Sequence, residues 1–249
     1  MFSNRYIFIY ATVMIFIVAF VLSLAATLLQ PLQQKNLDME KMKDILTSAQ
    51  ISAEKDDIIN SYHQYVTQEI VLNMNGEEVA IYKDGKFDKD NIRAFELDLK
   101  EQLFKIEKTG EGLLPLYMVE KEELKIYIIP LLGKGLWGPI WGTIALEDDF
   151  NTVAGVTFGH KSETPGLGAE ISTNIFHAEF AGKKIFNEKG EFISITLVKG
   201  GVKSSRTILE ENGVDAISGG TITSNGVSNM LKDCIKNYLP YFEKLRKDE

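Results

Sequence analysis

The sequence predicts an α+β fold, in which one N-terminal transmembrane helix precedes a mixed, largely antiparallel-sheet domain. Residues 6–29 contain no charged side chain, and this run is longer than the roughly 20 residues that an α-helix needs to cross the hydrocarbon of a bilayer. From residue 71 onward, short alternating segments and helical segments follow one another in mixed order, with tight-turn dipeptides between several of them. That order is typical of α+β domains.

Composition and charge exclude several classes of function. The 249 residues suffice for one or two domains, and the formal net charge is -8. A chain of this charge lacks the basic surface that binding to a phosphate backbone requires, so we expect no nucleic-acid partner. Cys234 is the single cysteine, and the three histidines are scattered. We therefore expect neither an internal disulfide nor a metal site.

The apolar run at residues 6–29 has two interpretations. The hydrophobic region of a cleaved signal peptide is about 7–15 residues long, so the run favours a membrane anchor over a secreted, processed protein. We expect an N-terminal segment at 1–5, the transmembrane helix at 6–29, a helical stalk at 30–70 and the α+β domain at 71–249. The charges on the two sides of the helix are too balanced to orient it.

Several elements can be placed by pattern within the domain. The dipeptides Asn75-Gly76 and Asp84-Gly85 predict β-hairpin turns. Apolar residues at 3–4 spacing predict an amphipathic helix over 227–246, with Ser224 or Asn225 as its N-cap and an interruption at Pro240. The other elements that we expect are a helix at 92–106, a strand pair turning at 121–123, a strand near 152–161, a short helix at 174–180 and a strand at 190–200.

Three glycine-rich loops are the candidates for function: 133–142, 160–171 and 215–226. Taken alone, the last loop is most simply a turn and a helix cap, with an anion site at the helix start as the second reading. In the middle loop, Pro165-Gly166 suits a type II turn that presents Leu167 at its tip. In the first loop we expect Trp137 to be exposed and Trp141 to fold into the core. Together, the three loops suit a ligand with a phosphate at one end and a flat ring at the other, such as flavin mononucleotide.

The segment from Asp215 to Thr221, DAISGGT, closely resembles the flavinylation motif D-x-x-[ST]-G-A-T of the FMN-binding domain family. With the segments 163–168 and 135–137, the chain resembles the C subunits of Na+-translocating NADH:quinone reductases. The G subunits of ferredoxin:NAD oxidoreductase complexes share the anchor and the motif, but the segment GLWGPIWG and the long stalk favour the former family. A membrane-tethered module that binds a non-redox ligand at these loops is the alternative outside redox chemistry.

The resemblance implies which residues hold the cofactor. It implies FMN joined through its phosphate to Thr221 by a flavin transferase that reads Asp215 and Ser218, with Leu167 and Thr164 lining the flavin. Gly220 stands where the family has Ala, which removes a methyl group beside the acceptor. The remaining residues that we expect at the cofactor are Trp137, Glu163, Gly166, Gly168, Gly219, Gly220, Ile222 and Thr223.

The resemblance also implies a role and a location. It implies an electron carrier between NADH and quinone in a sodium pump, in contact with other subunits and the lipid bilayer. The flavin supplies the chemistry, so no catalytic acid, base, nucleophile or metal is expected from this chain. The implied location is a bacterial inner membrane, crossed once, with residues 1–5 cytoplasmic and the C-terminal domain periplasmic. The span carries no acidic residue, so we expect Na+ to pass through other subunits.

Overall fold

The chain forms two compact units, residues 1–42 and 43–249, in a computed structural model that describes residues 3–122 and 124–248. Helix α1, Asn4–Ser48, makes up most of the first unit and ends within the second. Two of the sequence predictions fall partly outside the described residues. These are the N-terminal segment 1–5, at residues 1 and 2, and the turn at 121–123, at residue 123.

Helix α1 is long and apolar enough to cross a membrane. Its large apolar side chains between residues 6 and 29 are exposed within the chain, Phe8 and Phe16 among them at 74% and 70%. Exposed apolar area of this extent is unfavourable in water and favourable in lipid. The helix continues through Pro31 to Ser48, and Ile45 and Leu46 near its end are buried in the second unit.

The second unit is an α+β domain, which confirms the predicted fold class. Seven strands form one antiparallel sheet in the order β3-β2-β1-β4-β5-β6-β7, and a parallel pair, β8-β9, lies beside it. The strands are β1 Val66–Asn73, β2 Glu78–Lys83, β3 Lys86–Phe87, β4 Leu113–Lys121, β5 Leu124–Lys134, β6 Pro139–Leu146, β7 Val153–His160, β8 Thr196–Val198 and β9 Gly213–Asp215. The helices after α1 are α2 Ile58–Tyr65, α3 Leu99–Thr109, α4 Asn174–Ala178, α5 Thr221–Ile235 and α6 Leu239–Asp248.

Both predicted hairpin turns lie where the dipeptides place them. Asn75-Gly76 joins β1 to β2, and Asp84-Gly85 joins β2 to β3. Asp84 and Gly85 have φ values of 49° and 76°, as a type I′ turn requires at both central positions. The dipeptide signal therefore sufficed to place these two turns.

The first strand begins earlier than the sequence pattern suggests. We expected helical stalk through residue 70, but α2 ends at Tyr65 and β1 starts at Val66. Strand β1 pairs with β2 on one side and β4 on the other, with Ile70 opposite both Ile81 and Leu116. These long-range pairings override the local helical spacing. They cannot be recognised from a single sequence.

Helix α5 packs against the sheet and begins six residues before the predicted start at Val227. A Cβ built on Gly133 of β5 would lie 2.7 Å from the Cβ of Met230, so this glycine lets the helix approach the strand closely. Val227, Leu231 and Ile235 are fully buried on the same side. The helix ends at Ile235, and a short 3₁₀ turn separates it from α6, in which Pro240 is the second residue. The predicted interruption therefore lies at residues 236–238, just before Pro240, which occupies the first turn of α6, where a proline is tolerated.

Replacing Leu231 with Ala tests the packing of α5 on the sheet. Because Leu231 is fully buried, Leu231→Ala should lower the free energy of unfolding by about 2–5 kcal/mol. Asp233→Ala, on the exposed face of the same helix, should change it by less than about 0.5 kcal/mol. Denaturant titration of both variants measures the difference, and equal losses would contradict this packing.

Candidate functional site

Two of the three glycine loops and the start of α5 meet at one end of the sheet. The turn between β5 and β6 is tight, closed by a 2.8 Å hydrogen bond from the amide of Gly135 to the carbonyl of Gly138. The loop that follows β7 lies against this turn, and the first helical turn of α5 lies against both. The residues that the sequence placed on separate loops therefore share one region.

The carboxylate of Glu163 holds this region together. Its side chain is only 5% exposed. One oxygen, Oε1, accepts a 2.9 Å hydrogen bond from the amide of Trp137, and Oε2 accepts a 2.6 Å bond from the hydroxyl of Thr223. The amide of Glu163 donates to Nδ1 of His160 at 3.2 Å. The two side-chain bonds therefore fix the turn to the start of the helix.

Gly168 allows these groups to come together. A Cβ built on Gly168 would lie 2.5 Å from both Oε2 of Glu163 and the hydroxyl oxygen of Thr223. No side chain fits in that space without displacing one of the two partners. Gly168 is thus required by the bond between Glu163 and Thr223 rather than by flexibility.

The turn at Pro165-Gly166 presents Leu167 to the flavinylation-like segment. The amide of Leu167 donates to the carbonyl of Thr164 at 3.1 Å, and Gly166 has a φ of 74°, as a type II turn requires. Leu167 lies directly over Gly219: a Cβ built on Gly219 would be 2.5 Å from the Cδ2 of Leu167. The side chain remains 41% exposed.

Helix α5 offers unpaired backbone donors at its start. Thr221 is its first residue, and Gly220 is its N-cap, without a side-chain capping bond. Within the described chain, the amides of Thr221, Ile222 and Thr223 have no protein acceptor. Free amides at the positive end of a 15-residue helix favour an anion. The hydroxyl of Thr221, which is half-buried, lies in the same turn.

The predicted N-cap at Ser224 or Asn225 is wrong. Ser224 lies inside the first turn and is 1% exposed, and its hydroxyl accepts a 3.1 Å hydrogen bond from the amide of Ile217. This bond folds the loop back onto the helix, and Ser224 therefore closes the loop instead of capping the helix. Asn225 is exposed within the helix.

Asp215 and Ser218 lie on the outer side of the loop. Both are exposed, and Oδ1 of Asp215 accepts a 2.7 Å hydrogen bond from the amide of Val202. Glu179 lies nearby. Its burial first, and the negative charge of Asp215 second, raise the pKa of the Glu179 carboxyl.

Four exposed apolar side chains surround this region. Trp137 and Ile222 are 65% and 58% exposed, and Leu136 and Leu167 are also exposed. They lie on the same three segments that Glu163, Thr223 and Gly219 connect. Trp141, which we expected in the core, is only half-buried on β6, with its indole against Gly159.

The expected site residues fall into two groups in the structure. Hydrogen bonds and close contacts connect Trp137, Glu163, Leu167, Gly168, Gly219 and Thr223, with Gly220, Thr221 and Ile222 in the same helical turn. Asp215, Ser218, Thr164 and Gly166 lie on the exposed outer surfaces of the loops. Sequence reasoning missed that Ser224 and His160 accept hydrogen bonds from loop amides, because neither residue type signals such a bond.

An exposed apolar surface beside a helix start that favours anions suits a cofactor-binding domain of the flavin type, which offers sites for a ring and for a phosphate. In agreement, the model of the FMN-binding domain family matches residues 135–236, which include the three segments. The chain is 30% identical to the C subunit of the Na+-translocating NADH-quinone reductase of Vibrio alginolyticus, over 92% of this chain and 90% of the relative. It is 31% identical to the corresponding Haemophilus ducreyi protein, with the same coverage of both chains.

A solved structure shows the same fold. The crystal structure of the C subunit from Parabacteroides distasonis has a TM-score of 0.74 and 35% identity, covering 86% of this chain and 96% of that one. The chain therefore belongs to the family of C subunits of Na+-translocating NADH-quinone reductases, an FMN-binding family, as its motifs predicted.

Substituting Glu163 tests its role in joining the segments. Glu163→Ala leaves the amide of Trp137 and the hydroxyl of Thr223 without their acceptor, and should lower the free energy of unfolding by about 2–4 kcal/mol. Glu163→Gln is the matched control, because its amide can accept from Trp137 and donate to the hydroxyl of Thr223.

Hydrogen exchange at the Trp137 amide gives a local readout. Exchange should accelerate in Glu163→Ala and stay close to wild type in Glu163→Gln. Slow exchange in both variants would show that the carboxylate does not hold the turn.

Proposed function

We propose that this chain carries FMN esterified through its phosphate to Thr221, and that it transfers electrons as a membrane-anchored subunit of a Na+-translocating NADH:quinone reductase. The observation that carries the proposal is the helix start at Thr221. A hydroxyl, a positive helix end and three amides without an acceptor among the described residues lie within one turn there. The family membership supports FMN as the group bound.

The phosphate end of FMN fits this turn. The amides of Thr221, Ile222 and Thr223 can donate to phosphate oxygens, and the helix dipole stabilises their charge. The Oγ1 of Thr221 would be the atom that accepts the flavin phosphate: it would lose its proton and form the phosphoester while the phosphoanhydride bond of a flavin adenine dinucleotide breaks and the other mononucleotide leaves. Gly220 in place of the family's Ala leaves the acceptor hydroxyl in place, so we expect attachment to occur.

The ring end of FMN fits the exposed apolar side chains. Leu136, Trp137, Leu167 and Ile222 offer flat and aliphatic contact area around the helix start, and burying it against an aromatic ring is favourable. When bound, the flavin supplies the redox chemistry. The residues of this chain hold it in position and limit the access of water to one of its faces.

The flavin transferase and the membrane complete the proposal. Asp215 and Ser218 are exposed, so the flavin transferase can bind them during attachment.

The span at 6–29 lies in the lipid of a bacterial inner membrane, with residues 1–5 cytoplasmic and the C-terminal domain periplasmic. Na+ passes through other subunits, because ion paths across a membrane use ionisable residues and this single span carries no acidic residue.

Replacing Thr221 with Ala tests the attachment. Thr221→Ala should abolish the covalent flavin and leave the fold intact, because the hydroxyl of Thr221 has no protein partner in the described chain. Thr223→Ala is the matched control, and it should weaken the contact with Glu163 but keep the flavin.

Intact mass after co-expression with the transferase measures the outcome. The wild type and the Thr223→Ala variant should carry one FMN less one water. If the Thr221→Ala variant also carried that added mass, the flavin would be attached to a residue other than Thr221.

Replacing Leu167 with Ala tests the ring contact. Leu167→Ala should retain the covalent flavin and shift its absorption spectrum or its reduction potential, because an apolar contact on the ring is lost. Leu209→Ala removes a similarly exposed leucine, 54% exposed, outside the three segments and should leave both unchanged. An unaltered spectrum and potential in Leu167→Ala would count against the contact.

A further inference from the structure

The loop that follows β8 carries a concentration of positive charge in an acidic chain. Residues 199–206 contain Lys199, Lys203 and Arg206 and no acidic residue, whereas the whole chain has a formal net charge of -8. All three cations are exposed. Within residues 3–122 and 124–248, none of the three forms an ion pair. Such a loop, here called the basic loop, attracts negative charge from outside the chain.

The backbone of the basic loop is fixed. Gly200 and Gly201 have φ values of 82° and 92°, a region that favours glycine. Val202 is 6% exposed and anchors the loop in the domain. The amides of Ser204 and Ser205 donate to the carbonyls of Gly201 and Val202 at 3.2 and 2.9 Å. The three cations are therefore presented on an ordered surface, which lowers the entropic cost of binding a partner.

The basic loop is joined directly to the flavinylation-like segment. The amide of Val202 donates to the carboxylate of Asp215 at 2.7 Å, and the amide of Ala216 donates to the carbonyl of Val198 at 3.1 Å. Strands β8 and β9, which lead into the two segments, are paired along their length. A protein that covers Asp215 and the residues after it therefore also covers the start of the basic loop.

The cations do not neutralise the acids beside them. The pKa of Glu179 is raised by burial and by the charge of Asp215, and Lys183 is the cation that opposes this effect. The carboxylate of Asp215 is occupied by a backbone amide of the loop. The charges of Lys199, Lys203 and Arg206 therefore remain available to a partner.

We propose that the basic loop is a docking surface for the flavin transferase, and that it meets an acidic surface on that enzyme while Thr221 is modified. This inference rests on the proposed attachment at Thr221. Complementary charge accelerates the encounter of two proteins and orients them, and the basic loop orients the transferase toward the exposed segment 215–219. The contact is needed during attachment only.

Charge reversal of the basic loop tests the proposal. The variant is Lys199→Glu/Lys203→Glu/Arg206→Glu, made in the full chain and purified in detergent without its flavin. It is then mixed with purified transferase and flavin adenine dinucleotide. The matched control is Lys55→Glu/Lys86→Glu/Lys100→Glu, which makes the same change in net charge at exposed lysines on other elements. Covalent flavin fluorescence on denaturing gels gives the initial rate, and thermal unfolding verifies that both variants are folded.

We expect the loop variant to be modified about tenfold more slowly than the wild type at low salt. The control should match the wild type. Salt should slow the wild type and reduce its difference from the loop variant. With sufficient time, the loop variant should still reach one flavin per chain, because Thr221 is untouched.

Other outcomes would overturn the proposal. Equal rates for the loop variant and the wild type would exclude docking at this loop, and equal slowing of loop variant and control would indicate a general effect of charge. Normal attachment with slowed quinone reduction in the assembled complex would assign the loop to a redox partner. Normal attachment with lost binding to anionic vesicles would assign it to the membrane. A wild type that accepts no flavin would instead refute the attachment itself.

Discussion

The buried carboxylate of Glu163 is the interaction on which the rest of the site depends. It accepts from the amide of Trp137 with one oxygen and from the hydroxyl of Thr223 with the other, and these partners belong to segments far apart in the sequence. A buried carboxylate needs several donors to offset its loss of hydration. The close approach at Gly168 follows from that need. The bond to Thr223 also fixes the first turn of α5, in which Thr221 lies two residues earlier. The seven-stranded sheet provides the rigid frame, because both the turn and the loop begin at the ends of its strands.

The backbone and the side chains of the site have separate roles. Backbone amides at the start of α5 face the position suited to the phosphate, while exposed apolar side chains surround the position suited to the ring. The proposed covalent attachment would prevent dissociation of the cofactor and leave the ring free to approach redox partners. The same exposure would make the segment accessible to the proposed flavin transferase, and in our proposal the basic loop beside Asp215 supplies the charge for that encounter. In this account, attachment and electron transfer use neighbouring surfaces of one domain.

Much of the fold and the site could be predicted from the sequence, because the decisive signals are local. Asp84-Gly85 demands a hairpin, and the uncharged run at 6–29 matches the length of a membrane span. The segment from Asp215 to Thr221 identified the family that the comparisons confirm. The missed features depend on contacts between distant residues. Strand pairing with β4 starts β1 at Val66, and the bond from Ile217 to Ser224 moves the helix start to Thr221. Neither the strand pairing nor this hydrogen bond can be recognised from a single sequence. The same holds for the two hydrogen bonds that Glu163 accepts.

Tandem mass spectrometry of peptides from the wild-type chain, co-expressed with its transferase, tests the central claim most directly. The account predicts that FMN less one water is found on a single residue, Thr221, and on nearly every copy of the peptide that contains it. Flavin on Thr223 or Ser218 would contradict the account. So would a Thr221-containing peptide that lacks flavin although the intact protein carries one flavin per chain. In each case Thr221 would not be the acceptor.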